Sequence, residues 1–101
     1  MGARTVLVAD GPLGGDCTHT GCIPSKTLIA AAGAGRDFAT AMEEVRTTVA
    51  RVAATEDEAT LTRAGITVRR GRASLRGPGQ VEVDGTELRA RHVILATGAT
   101  A

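Results

Sequence analysis

The chain has 101 residues, a formal net charge of +1, a single aromatic residue (Phe38) and two cysteines. That length provides for one small domain at most, and the near-neutral charge argues against nucleic acid or an anionic membrane as a general partner. One aromatic side chain supplies no base-stacking platform, and no apolar run approaches the roughly 20 residues that span a bilayer.

The N-terminal residues lack the charged region, apolar core and cleavage site of a secretory signal, so the expected location is cytoplasmic. Val6-Leu7-Val8-Ala9 is a short, continuously apolar run of the kind that forms a parallel strand buried on both faces. It ends at Asp10, and Gly11-Pro12 followed by Gly14-Gly15 predicts a loop. The next helix is expected from Ser25 to Ala32, with Pro24 in its first turn and Gly33 as its breaker.

Asp37 is a candidate N-cap for a second helix. Phe38, Met42, Val45, Val49, Val52 and Ala59 fall on one stripe, which predicts a long amphipathic helix over residues 37–64, broken near Thr55 and stopped by Gly65. The stripe is expected to face core or a subunit interface. Strand signals follow: one strand from Ile66 continuing toward Leu75, a turn at Gly77-Pro78-Gly79, and another from Gln80 to Val83. Asp84-Gly85 is a hairpin signal, because a type I′ turn needs positive φ at both central positions. The apolar run over residues 92–96 predicts a last, central strand, closed by Thr97-Gly98.

The stretch with chemistry in it is residues 14–26, G-G-D-C-T-H-T-G-C-I-P-S-K, which holds both cysteines and the only lysine, Lys26, in a chain with 12 basic residues. Cys17 and Cys22 stand five positions apart just ahead of Pro24. That places a thiol pair at or near a helix N-terminus, where the macrodipole favours thiolate over thiol. Two cysteines are too few for a disulfide framework, which leaves redox activity, metal binding or inert packing. Cys17, His19 and Cys22 would give zinc only three ligands, at a spacing foreign to structural zinc knuckles. Lys26-Thr27 fails as the end of a phosphate-binding loop, since Ser25 stands where that motif needs Gly. Arg69, Arg70, Arg72 and Arg76 read as a solvated strand face.

Residues 14–26 resemble, nearly letter for letter, the redox-disulfide signature of the class I pyridine nucleotide-disulfide oxidoreductases. This flavoenzyme family includes dihydrolipoamide dehydrogenase, glutathione reductase and mercuric reductase. Ala96-Thr97-Gly98 is similar to the family's A-T-G turn against the flavin. The resemblance implies an α/β fold: a partial Rossmann-like FAD-binding domain over residues 1–101, with parallel strands, helices and a β-hairpin or meander, but without the first strand and its G-x-G-x-x-G turn. It implies FAD as cofactor, NAD(P)H as electron donor and a disulfide or dithiol as substrate. Cys22 would be the flavin-proximal sulfur and Cys17 the exchange thiol. Lys26 would lie beside the flavin ring, and Gly14, Gly15 and Gly98 would let the backbone approach the cofactor, with Ala96 and Thr97 in the same turn.

The family's ribose-binding acid would align with Ala9, so Asp10, one residue late, takes that role only if the loop shifts. With no dinucleotide loop, nicotinamide domain or acid/base histidine in these residues, the chain by itself is not expected to turn over. The two apolar strands are expected either to pair directly or to have the gap beside them covered by a dimer, and a companion chain is the other expected partner. The reading from another class is a small non-enzymatic thiol protein, or a degenerate fragment without flavin, acting through Cys17 and Cys22.

Overall fold

In the computed structural model, residues 2–99 are described. They fall into two compact units, each treated by itself: Leu13–Thr60, and the described residues up to Pro12 together with those from Leu61 onward.

The first of these units is helical. α1 (Gly15–His19) and α2 (Cys22–Gly33) are joined by Thr20-Gly21, and α3 (Phe38–Ala53) packs against α2. The helix-rich segment expected from Ser25 starts earlier, at Cys22, and Cys17 lies in a separate helical turn. Pro24 accordingly sits in the first turn of α2, where a missing N–H costs nothing. At the other end of α2 the Gly35 N–H bonds the Ala32 carbonyl and the Arg36 N–H bonds the Ala31 carbonyl, both at 3.0 Å, with Gly35 at φ 74°. This is a Schellman stop. It delivers the chain directly to Asp37, whose carboxylate accepts from the Thr40 N–H at 2.9 Å and from the Thr40 hydroxyl at 3.1 Å. Asp37 is therefore the N-cap of α3 that its side-chain chemistry predicts. The backbone N–H of Thr40 holds its carboxyl below the usual carboxylate range.

Ala31 of α2 and Ala41 and Val45 of α3 are the buried apolar residues of this unit. Small residues at the contact let the two helix backbones approach closely. The long helix expected over residues 37–64 is broken where expected: α3 ends at Ala53, the Thr55 N–H turns back to the Val52 carbonyl, and α4 (Glu58–Arg63) begins after Asp57, which accepts from the Thr60 N–H at 2.8 Å. Gly65, at φ 86°, follows the last turn as its stop.

The other unit carries the strands. β1 (Thr5–Ala9) pairs in parallel with β2 (Ile66–Arg70), with Thr5 opposite Ile66 and Ala9 opposite Arg70. Two bonds extend the pairing past the strand ends: the Gly71 N–H to the Ala9 carbonyl at 3.1 Å and the Arg70 guanidinium to the Gly11 carbonyl at 2.7 Å. β3 (Ala73–Gly77), β4 (Gln80–Val83) and β5 (Thr86–Arg89) form an antiparallel meander in sequential order. The β4–β5 turn has Asp84 at φ 46° and Gly85 at φ 84°, the two positive values a type I′ turn demands. The β3–β4 register shifts between Leu75 and Gly77, and Arg76 at that irregularity bonds Glu82 at 2.7 Å. Val83 is the buried apolar residue here.

Three sequence expectations are corrected in this unit. The strand predicted to run from Ile66 toward Leu75 is two strands in two sheets, split at Gly71-Arg72, because the parallel pairing runs out where β1 gives way to Asp10-Gly11-Pro12. β1 is parallel as predicted but not buried on both faces: with β2 as its sole described partner, Val6 keeps 47% of its surface. Residues 92–96 form no strand at all, and Ile94 is 89% exposed. A continuous apolar run makes a central strand only when hydrogen-bonding edges flank it, and neither described sheet extends an edge to this segment. No helix among the described residues is long and apolar enough to cross a membrane.

Candidate functional site

Both cysteines lie in the Leu13–Thr60 unit, where two short-range constraints place them. Gly14, at φ 99°, N-caps α1 and starts the turn that contains Cys17. The Thr20 N–H closes α1 on the Asp16 carbonyl at 2.9 Å, and the chain reverses through Gly21 into α2, whose first residue is Cys22. Gly21 is packed so tightly on α1 that an added Cβ would stand 3.0 Å from the Asp16 carbonyl oxygen and 3.3 Å from Cys17 Cα. A glycine at that corner lets the chain turn back tightly against the α1 backbone.

Cys17 and Cys22 are both free thiols and both exposed. Side-chain hydrogen bonding with Cys22 raises the Cys17 thiol above its ordinary value, helped by desolvation and by the negative charges of Cys22 and Glu56 and opposed by the Cys22 backbone N–H. For Cys17 this corrects the expectation of a favoured thiolate: the backbone N–H of Cys22 at the start of α2 pulls that way but is outweighed. Cys17 belongs to α1 rather than to the first turn of α2, and the neighbouring Cys22 side chain favours its protonated form.

Lys26 lies four residues after Cys22 in α2, one turn along the same helix face, and is exposed. His19 is held by its Nε2–H, which donates to the Leu13 carbonyl at 2.6 Å and so fixes that tautomer. No group of three or more His, Cys, Asp or Glu side chains able to hold a metal ion occurs among the described residues.

Two residues that sequence reasoning did not single out complete this corner. Thr18, between Cys17 and His19, is 2% exposed, and its hydroxyl donates to Glu56 Oε2 at 2.7 Å. The Glu56 carboxylate also occupies the space where a Cβ on Gly14 would stand, with the Thr18 hydroxyl 3.3 Å from that point. Glu56 lies 38 residues from Thr18 in sequence and off the apolar stripe of the predicted helix, so no local signal marks it. Gly15, at φ 67°, has open space at its Cβ position.

The remaining predicted site residues lie in the strand unit. Asp10 is exposed and follows β1 directly; Ala9, the position one residue earlier, pairs with Arg70. Ala96, Thr97 and Gly98 are exposed and outside regular structure, with Gly98 at φ 71°.

The profile of the pyridine nucleotide-disulphide oxidoreductases matches residues 1–101, the whole chain. The chain belongs to that family. Among pyridine nucleotide-disulphide oxidoreductase relatives, it is 28% identical over 114 residues to a glutathione reductase of Burkholderia cepacia, covering 97% of this chain and 25% of that protein. It is 36% identical over 115 residues to a dihydrolipoyl dehydrogenase of Chlamydia pneumoniae, covering 94% of this chain and again 25% of the relative. The chain thus spans about a quarter of the length of the curated relatives it matches. Its fold is similar to that of the HOCl-induced flavoprotein disulfide reductase RclA of Escherichia coli, solved as a Cu(II) complex. The TM-score is 0.75 at 23% identity, over 95% of this chain and 24% of that one. A cysteine-to-serine variant of the same reductase superposes with a TM-score of 0.69 at 25% identity. The partial α/β architecture expected from residues 14–26 and 96–98 is the fold observed.

Proposed function

We propose that this chain contributes the redox-active cysteine segment of a flavin-dependent disulfide oxidoreductase, as part of an FAD-binding domain, and that Cys17 and Cys22 cycle between dithiol and disulfide. The single observation that carries the reading is a pair of exposed free thiols set on either side of a glycine corner, inside the segment that carries the family's signature. The cytoplasm, where such a pair is kept available for reduction, is the proposed setting.

The residues also fit a flavin. Cys22 and Lys26 lie on one face of α2, and Gly15 leaves space for close approach of a planar group, whereas Gly14's corresponding space holds Glu56. In this reading Cys22 and Lys26 flank the ring, the Lys26 ammonium balancing negative charge on it. For Asp10, Ala96, Thr97 and Gly98, in the strand unit, a cofactor-binding role is proposed on the family resemblance alone. When bound, FAD supplies two electrons drawn from NAD(P)H to the Cys17–Cys22 disulfide.

The protein's own chemistry is thiol–disulfide exchange. The Cys17 thiolate attacks a substrate disulfide, forming a mixed disulfide and expelling one substrate thiolate. The Cys22 thiolate then attacks the Cys17 sulfur, expelling the second substrate thiolate and closing the Cys17–Cys22 disulfide. A disulfide or dithiol is the substrate class, with a second copy or a companion chain as the further partner.

Reaction of the reduced chain with a chromogenic aromatic disulfide tests the sequence of attacks. Wild type is expected to release two equivalents of aromatic thiolate and end with no free thiol. Cys22→Ser is expected to stop after one equivalent, with the aromatic group retained on Cys17. Retention of the aromatic adduct in wild type would contradict the reading.

A further inference from the structure

We propose that Glu56 is a positioning residue for the cysteine pair, holding α1 through Thr18 and Gly14 so that Cys17 stays within reach of Cys22. The inference rests on the reading that this pair is redox-active, and it adds a residue from the α3–α4 connection that the cysteine signature does not contain.

Three observations converge on it. The Thr18 hydroxyl, adjacent in sequence to Cys17, is almost fully buried and has the Glu56 carboxylate as its 2.7 Å acceptor. A buried hydroxyl without such an acceptor would be costly, and a bond to a carboxylate is stronger than one between neutral groups. The carboxylate fills the position that a Cβ on Gly14 would take, so the N-cap of α1 and the middle of α1 close around one group. Glu56 is itself fixed, since its backbone N–H bonds the Ala53 carbonyl at the end of α3 at 3.1 Å. The helix that packs on α2 thereby reaches back to the turn that carries Cys17.

The consequence is a preorganised ring closure. Oxidation by glutathione disulfide removes two electrons and two protons from the pair: a glutathione disulfide accepts attack by Cys17, releases one glutathione thiol, and Cys22 displaces the second. The second displacement is intramolecular, so its equilibrium measures how well Cys17 is held against Cys22. Loosening α1 lowers the effective concentration of one thiol at the other. Glu56 has a second, separable effect. Among the groups acting on Cys17, Cys22 and Glu56 are the two whose negative charge disfavours its thiolate.

The test is the equilibrium constant for Cys17–Cys22 closure in glutathione buffers, read by alkylation and mass, alongside the pH profile of Cys17 alkylation. Glu56→Ala and Thr18→Val are expected to reduce closure roughly tenfold. Glu56→Gln and Thr18→Ser, which keep an acceptor and a hydroxyl, are expected within about twofold of wild type. Glu56→Gln, lacking the charge, is expected to move the Cys17 alkylation profile to lower pH while leaving closure near wild type, which separates the charge from the positioning. Glu43→Ala, which removes a separate exposed pair with Arg46, serves as the folded control. If Glu56→Ala fails to fold, the Thr18→Val and Thr18→Ser pair carries the comparison. Wild-type closure in folded Thr18→Val, or equal loss in Glu56→Gln and Glu56→Ala, would overturn the positioning role. A wild type that forms no reversible disulfide would instead overturn the reading beneath it, and the inference with it.

Discussion

Cys22, the first residue of α2, raises the thiol of Cys17 in α1 above its ordinary value, chiefly by side-chain hydrogen bonding to the protonated form. Its sign decides a pH dependence. Cys22 stabilises the protonated form, so the Cys17 thiolate gains population at higher pH than an unperturbed thiol would. Alkylation of Cys17 is therefore expected to rise with pH later than that of a free cysteine. In Cys22→Ala the profile is expected to move back to lower pH. A profile unchanged by Cys22→Ala, followed by mass spectrometry of the Cys17 peptide, would show that Cys22 does not favour the protonated form of Cys17.

Asp37 gives a prediction of the opposite sign. The Thr40 N–H lowers its carboxyl from the ordinary value, so the cap's contribution to α3 is fully present above the unfolded carboxylate pKa and is lost as pH falls through the lowered one. Asp37→Ala is expected to lower the thermal midpoint at neutral pH and to weaken the acid-induced loss of helicity, both readable by circular dichroism. A neutral-pH midpoint equal to that of wild type would show that α3 does not depend on this cap.

The α2–α3 contact rests on small and β-branched side chains. Val45→Ala removes two methyl groups from a buried site and is expected to cost about 2 kcal/mol in urea unfolding. The exposed Phe38, despite its size, is expected to be replaceable by Ala with little loss, since 77% of its surface faces solvent.

At the β4–β5 turn, Gly85 stands at φ 84° with open space where a Cβ would go, so substitution there is a backbone effect rather than a clash. Gly85→Ala is expected to destabilise by about 1–2 kcal/mol, whereas Asp84→Asn, which also tolerates positive φ, is expected to be nearly neutral. Equal effects of the two substitutions would show that the turn is not held in its left-handed geometry.

What could be read from the sequence was local. Asp37 and Thr40 are three residues apart, Asp84-Gly85 are adjacent, and the cysteine segment is contiguous, so each carries its own geometry in a few residues. Burial was not local. Val6 and Ile94 have the apolar surroundings of central strands, but whether such a run pairs and is covered depends on neighbouring strands rather than on its own residues. Glu56 was illegible for a related reason: its link to Thr18 and Gly14 joins segments that periodicity treats separately, and Gly14 has a role beyond the flexibility its residue type suggests.

The most direct measurement is the free-thiol content of the chain as a function of redox potential, set by glutathione buffers and read by alkylation and mass. A redox-active pair predicts one two-electron transition in which Cys17 and Cys22 lose their reactivity together, leaving an intramolecular disulfide that reductant reverses. Two independent transitions, with glutathione retained on Cys17 or Cys22, would contradict the proposal that these thiols work as one redox centre.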